Sequence, residues 1–401
     1  MIFLSIGDKI KECRKVYNIK QTAFEQYGIT QNYLSLIESG KRIPSFEVVK
    51  AIYRGFVRLT NQAITTKYSE FEFCQSQSEQ ANFYVLERLE ASDWINECDA
   101  LIQIAKEFEL DNRCYQIYSE LGEQYQKQQL YFKSNNYIQE AINYGLKINK
   151  SVANLYKLIG VNLDLSLNYE GSLMCYILAE QYAISEEEFI LLQEIRCSKA
   201  TTLLKLKQYD CAMECIEDVI TSCEDLNLQG FAIRIKSKIL IETEKLEEAK
   251  SLLNKFILET DIISHKVHSI YNLACIYVRQ KEYDNGLEMA YCLFQDEKID
   301  KELKKKIIIL ITRIYFEKAN YLKAQEFLKQ NKYYIEREKN DQYFIIYCYE
   351  IAIEVYIVLD NEVKLTEILN ELEKLTSYST IKDSVIKLQN RVFNYLFKNK
   401  L

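Results

Sequence analysis

The chain has 401 residues, with 51 Lys and Arg against 58 Asp and Glu for a net charge of -7, and it holds ten glycines, one proline and twelve cysteines. So few helix breakers predict an all-α protein with ample apolar material for a core. No apolar run approaches the roughly 20 residues that span a bilayer; the longest, Ile307 to Ile311, is broken by Thr312 and Arg313, and Met1 to Ile10 has no basic n-region or cleavage site, which predicts a cytoplasmic protein without a membrane partner. The cysteines form no CxxC pair and read as small core residues of a reducing compartment.

Charge is uneven along the chain. Residues 1–60 carry ten Lys or Arg against five acids, so this head holds +5 and the remaining 341 residues hold -12. A basic head on an acidic body suits contact with a polyanion through the head alone. Within it, Gln21 to Tyr27 reads as a short helix, Gly28 as the positive-φ residue of a sharp turn, and Thr30 as the N-cap of a second helix running to about Glu38. Leu34 and Ile37 would seat that helix on Ile6, Ile10 and Val16 before it and on Val48, Val49 and Ile52 after it. Gln31 and Asn32 then stand in its first turn, where amides bond the N6 and N7 edge of adenine in a major groove, with Tyr33 and Ser35 beside them.

At Ile37 to Ser45, IESGKRIPS, the chain resembles the helix-turn-helix domains of the phage-repressor (Cro-like, Xre) family, and the likeness covers roughly residues 5 to 58. The family usually has one more residue between the glutamine opening its scaffold helix and the turn glycine, so Gln21 to Gly28 is one residue short. By position the resemblance implies Gln21 on a phosphate, Gln31, Asn32 and Ser35 toward bases, and Lys41 and Arg42 on the backbone of a double-stranded operator.

Residues 61–80, rich in Thr, Gln, Ser and Glu, read as a hinge. A degenerate helix pair follows at Phe83 to Leu89 and Trp94 to Phe108, opening a repeat array expected over 81–380. Small residues recur at Gly122, Gly160, Ala200, Ser237, Ala274, Thr312 and Ala352, in steps of 38, 40, 37, 37, 38 and 40. Such a period holds two antiparallel helices, with the small residue where they approach most closely. Twelve residues further on come Ser134, Ser172, Ala212, Ala249, Gly286, Ala324 and Lys364; sixteen on come Ile138, Tyr176, Ile216, Leu253, Ala290, Leu328 and Ile368. The pattern resembles the tetratricopeptide repeat, best at YSELGEQY (Tyr118 to Tyr125) and in the turn pieces QYDCA, EYDNG and NYLKA, although the consensus proline is absent. Residues 381–401 read as a capping helix, with Tyr395 and Phe397 either covering the last apolar face or meeting a second subunit.

In such an array the first helix of each pair lines the concave face, and positions three before and one after the small residue project inward. That register puts Lys157, Arg234, Lys238, Tyr271, Arg313 and Tyr349 on the face, and Asn272, Arg279 and Phe316 extend it to a cationic centre rimmed with aromatics. Such a groove suits an extended peptide: amides hold its backbone, cations its carboxylate and aromatics its apolar side chains. The chain shows no glycine-rich phosphate loop and no nucleophile with a base, so neither catalysis nor a cofactor is expected; His265 and His268, three apart, have no third ligand converging, and no metal is expected.

Head and array in this order resemble the RRNPP group of peptide-responsive quorum-sensing regulators of Gram-positive bacteria. The resemblance implies a dimeric cytoplasmic transcription regulator whose array binds a short signalling peptide and thereby rearranges two DNA-binding heads. Two alternatives stay open: an interaction scaffold whose array sequesters a signalling protein, and a phage lysis-lysogeny regulator of the arbitrium type.

Overall fold

The computed structural model describes residues 3–296, 299–331, 342–375 and 381–398, and every regular element among them is a helix. The chain divides into two compact units, one ending at Ile195 and the other beginning at Arg196.

The first unit opens with α1 (Ile6–Val16), a 3-10 helix (Gln21–Tyr27), α2 (Gln31–Glu38) and α3 (Phe46–Leu59). Ile10, Cys13, Leu34, Ile37, Val49 and Ile52 are buried together as their spacing requires. Val16, expected in that core, is 58% exposed. The core stripe of α1 runs Ile6, Ile10, Cys13 and then Tyr17, which takes the place assigned to Val16. The scaffold segment is 3-10 rather than α, and this answers its missing residue. A 3-10 helix rises about 2.0 Å per residue against about 1.5 Å for an α-helix, so seven residues span about the length of nine α-helical ones and more than make up the one that is missing. Gly28 then turns the chain at φ 78°. Gly7 lets α1 touch the end of α2: a Cβ there would stand 2.3 Å from the Ile37 carbonyl oxygen.

Residues 61–80, read as a hinge, are folded against the head. They form a 3-10 helix (Ala63–Thr66), α4 (Glu70–Cys74) and the start of α5 (Gln77–Leu89), and Ile64 and Phe73 lie fully inside the head core. Ser69 and Ser76 cap α4 and α5 with reciprocal boxes to Glu72 and Glu79. Lys9 of α1, 1% exposed, donates to the carbonyls of Glu72, Phe73 and Gln75 at 2.6, 3.4 and 2.8 Å. Its ammonium satisfies acceptors that the end of α4 leaves open. Burial pulls that ammonium down to about 8.

A further 3-10 helix (Trp94–Glu97) and α6 (Cys98–Glu107) precede the regular pairs α7 (Asp111–Lys127) with α8 (Tyr131–Lys147) and α9 (Ala153–Leu165) with α10 (Tyr169–Ser185); α11 (Phe189–Lys205) runs across the division between the units. The second unit continues with α12 (Tyr209–Ser222), α13 (Leu226–Glu242), α14 (Leu246–Glu259), α15 (Ile263–Arg279), α16 (Tyr283–Gln295), α17 (Lys301–Glu317), α18 (Tyr321–Gln330), α19 (Gln342–Val358), α20 (Glu362–Leu375) and α21 (Lys382–Lys398). The chain is thus all-α, with tetratricopeptide-like helix pairs behind its head.

The small-residue register is the packing rule of the pairs. A Cβ on Gly122 would stand 2.4 Å from Ile138, and one on Gly160 would stand 2.7 Å from Tyr176, the residues sixteen further on. Ser134 and Ser172, twelve further on, donate to the Gly122 and Gly160 carbonyls at 2.7 and 2.8 Å. Seven residues after the small position the chain turns through the left-handed region at Gln129, Leu167, Lys207, Glu244, Lys281 and Ala319. None of these is glycine, so each turn carries strain of about 1 kcal/mol that the packed pair must hold.

Candidate functional site

The head presents a polar face built on α2. Thr30 caps it by accepting from the Tyr33 amide at 3.3 Å, which ends the preceding turn and exposes Gln31, Asn32 and Ser35 on the first two turns. Leu34 and Ile37 on the other side are buried, so the helix cannot turn that face away from solvent. Lys41 and Arg42 are exposed in the loop after Gly40, and their amides bond the Leu36 carbonyl at 2.9 and 3.2 Å. The Arg42 guanidinium lies over the half-buried Tyr33 ring, 5.9 Å from its centre. Gln21, assigned to a phosphate, donates its amide nitrogen to Glu38 at 3.0 Å. The same carboxylate is held by Arg14 at 2.5 and 2.7 Å. Gln21 therefore braces the end of α2.

In the second unit, four of the nine residues assigned to a peptide groove converge. Arg234 and Lys238 of α13 and Tyr271 and Asn272 of α15 line one recess of about 560 Å³. Asn272 is fixed by donating to Ser237 at 2.9 Å. The Arg234 guanidinium stacks 5.1 Å over Phe231, and its buried Nε has no partner. Lys238 opens to solvent through the groove mouth while protein surrounds it on the other sides. That surrounding desolvates its ammonium, and with Lys306 and Arg234 nearby brings it down to about 8. Burial also lifts the Tyr271 hydroxyl well above its ordinary range.

Phe231, His268 and Lys306 also line this recess and were missed in the sequence. All three sit six residues before the small position of their repeats, so carrying the inward stripe one helical turn further would have found them. His268 Nε2 lies 3.6 Å from Asp300. Burial and the neighbouring Arg234 push its imidazole down to about 4.

The other assigned residues are elsewhere. Lys157, in the first unit, pairs with Glu194. Arg279 is held by Glu242 and Glu244 at 2.9 and 2.8 Å. Arg313 reaches toward Glu317 at 3.7 Å with most of its side chain in solvent. Phe316 packs edge-on against Tyr321, and Tyr349 lines a separate cleft of about 140 Å³ between α19 and α20 with Tyr356 and Ile368. Among the described residues no three metal-donating side chains converge, His265 and His268 included.

Residues 10–55 match a family model described as helix-turn-helix. The head is a helix-turn-helix domain. No curated protein matches the chain in sequence. Among solved structures it is similar to the apo form of the quorum sensor NprR from B. thuringiensis, at 11% identity over 98% of this chain and 100% of that one, with a TM-score of 0.53. It is also similar to Bacillus thuringiensis PlcR in complex with the peptide PapR7 and DNA, at 14% identity over 84% of this chain and 98% of that one, TM-score 0.33. A tetratricopeptide repeat protein from Parabacteroides merdae aligns at 11% identity over 70% of this chain and 99% of that one, TM-score 0.49. At these identities the likeness is one of fold. That fold is a helix-turn-helix head followed by helix pairs. No helix among the described residues is long and apolar enough to cross a membrane.

Proposed function

We propose that the chain is a transcription regulator that binds an operator as a dimer through its helix-turn-helix heads and answers to a short signalling peptide held in the recess of its second unit. In this reading Gln31, Asn32 and Ser35 meet base edges while Lys41 and Arg42 hold phosphates. A single head covers too little DNA for a selective site, so two heads are needed on a two-fold site. The observation that carries the peptide half is the recess, where Arg234, Lys238 and Lys306 face a cavity lined also by Phe231 and Tyr271. Among the described residues none of the three cations is ion-paired. The fold shared with NprR, described as a quorum sensor, supports the same assignment.

Ligand binding acts on DNA only through a difference in affinity between two arrangements of the heads. The test has two steps: selection of an operator from randomised duplexes with the purified chain, then repetition with short peptides encoded beside the gene. A selected palindrome whose occupancy changes with one peptide supports the reading. A chain that selects no sequence contradicts its DNA half, and an operator unmoved by every peptide contradicts the other.

A further inference from the structure

The recess holds more positive charge than one carboxylate can neutralise. α13 contributes Arg234 and Lys238, α15 contributes His268 and the neutral Tyr271, α17 contributes Lys306, and α11 contributes the uncharged Thr201 and Leu204, with Lys205 nearby. Among the described residues one acid stands at its edge: Asp300, whose carboxylate is 3.6 Å from His268 and also caps α17 through the Leu303 amide at 2.8 Å. Glu242, in the adjoining recess that shares Lys238 and Tyr271, is committed to Arg279.

We propose that this recess takes a ligand end bearing two negative charges close together, an acidic side chain beside a free C-terminal carboxylate. The inference rests on the peptide reading above and names the peptide's class: acidic at its C-terminus. Three cations without acid partners at a partly desolvated wall suit charge-assisted bonds to two carboxylates, whereas one would leave like charges facing each other. The apolar walls supplied by Phe231 and Leu204 take the carbon skeleton between the two charges. A volume of about 560 Å³ admits a few residues. The net of -12 over residues 61–401 turns away an extended polyanion. Lys238 is depressed to about 8 and His268 to about 4, first by burial and then by the neighbouring cations. An entering dianion raises both, so binding takes up protons.

Titration calorimetry on the full chain at pH 7 and low salt tests the charge count with N-acetyl-aspartate, its one-carboxylate analogue N-acetyl-asparagine, and inorganic phosphate. N-acetyl-aspartate is expected to bind about tenfold tighter than the asparagine analogue, a difference of about 1.4 kcal/mol. Its apparent heat should shift between buffers of different ionisation enthalpy. Lys238→Met and Lys306→Met should each bring the preference close to one at unchanged circular dichroism. Equal binding of the two analogues, or a preference that survives both substitutions, overturns the proposal. Phosphate bound as tightly as N-acetyl-aspartate also overturns it, in favour of a phosphoryl group. The two readings fail separately: a peptide that moves the operator equally well with its acids amidated sinks the acidic class and leaves peptide control standing, whereas the aspartate preference without any active peptide does the reverse.

Discussion

Arg14 grips both carboxylate oxygens of Glu38, at 2.5 and 2.7 Å, with the two side chains 17% and 6% exposed. The pair ties the last residue of α2 to α1, Gln21 adds a third bond to the same carboxylate, and Gly7 brings the helices into backbone contact at Ile37. The helix α2 is thus set at its C-terminal end by the core side of the head, which leaves its first turns facing outward. Removing one partner of a largely buried pair strands the other charge. Arg14→Ala should therefore destabilise the head by about 3 kcal/mol. An apolar double replacement, Arg14→Met with Glu38→Leu, should recover most of that loss. Thermal unfolding of the three variants checks this; an Arg14→Ala chain as stable as the parent would show that the pair contributes nothing.

On the exposed side of the same helix, Asn32 and Lys41 should separate by salt dependence. Asn32→Ala is expected to cost about 1–3 kcal/mol on the selected operator with little change on random DNA. Lys41→Ala should weaken both and reduce the salt slope by about one. Mobility shifts across a salt series distinguish them, and identical behaviour would put the base contacts elsewhere on α2.

Glycines of the repeats should differ in sign. Gly122→Ala drives a methyl to 2.4 Å from Ile138 and is expected to cost about 1–3 kcal/mol. At Gly286 the nearest atom to a new Cβ is 3.3 Å away on Val278, and helix propensity favours alanine by up to about 1 kcal/mol. Gly286→Ala should be neutral or stabilising in a urea titration; equal losses at both positions would refute the close-approach role of Gly122.

The recess should also leave a mark on acid stability. The His268 imidazole is pushed from its ordinary 6.5 to about 4, first by burial and then by Arg234, with Lys306 and Lys238 adding to the effect and Asp300 opposing it. Between those values the unfolded chain binds a proton that the folded chain refuses. Stability from this group is complete above about pH 6.5 and is lost as the pH falls toward 4. His268→Gln should flatten the slope of unfolding free energy across that interval, and a slope identical to the parent's would remove His268 from the account of acid sensitivity.

Local signals were the legible ones. Thr30 and Gly28 are a cap and a turn whose chemistry lies within a few residues, and α2 runs from Gln31 to Glu38 as they require. The small-residue period was readable because a helix pair that touches at Gly122 or Gly160 has no room for a Cβ. Distant partners were not legible. Lys9 is a buried ammonium because carbonyls more than sixty residues away receive it, and polar residues 61–80 fold because Ile64 and Phe73 fill the head. Helix register alone brings Arg234, Lys238, Tyr271 and Asn272 to the lining of one recess. Arg279 and Arg313 looked equivalent, yet Glu242 and Glu244, more than thirty residues away, hold Arg279 while Glu317 one turn on reaches Arg313, and Phe316 and Tyr349 pack farther along.

Fluorescence anisotropy of a labelled operator, titrated with the active peptide in the parent chain and in Lys238→Met, joins the two halves most directly. Peptide-free operator affinity should agree within about twofold, since Lys238 lies outside the basic head, while the peptide response should shift to at least about tenfold higher peptide or vanish. A Lys238→Met chain that responds at the parent's peptide concentration would contradict control of the heads through the recess.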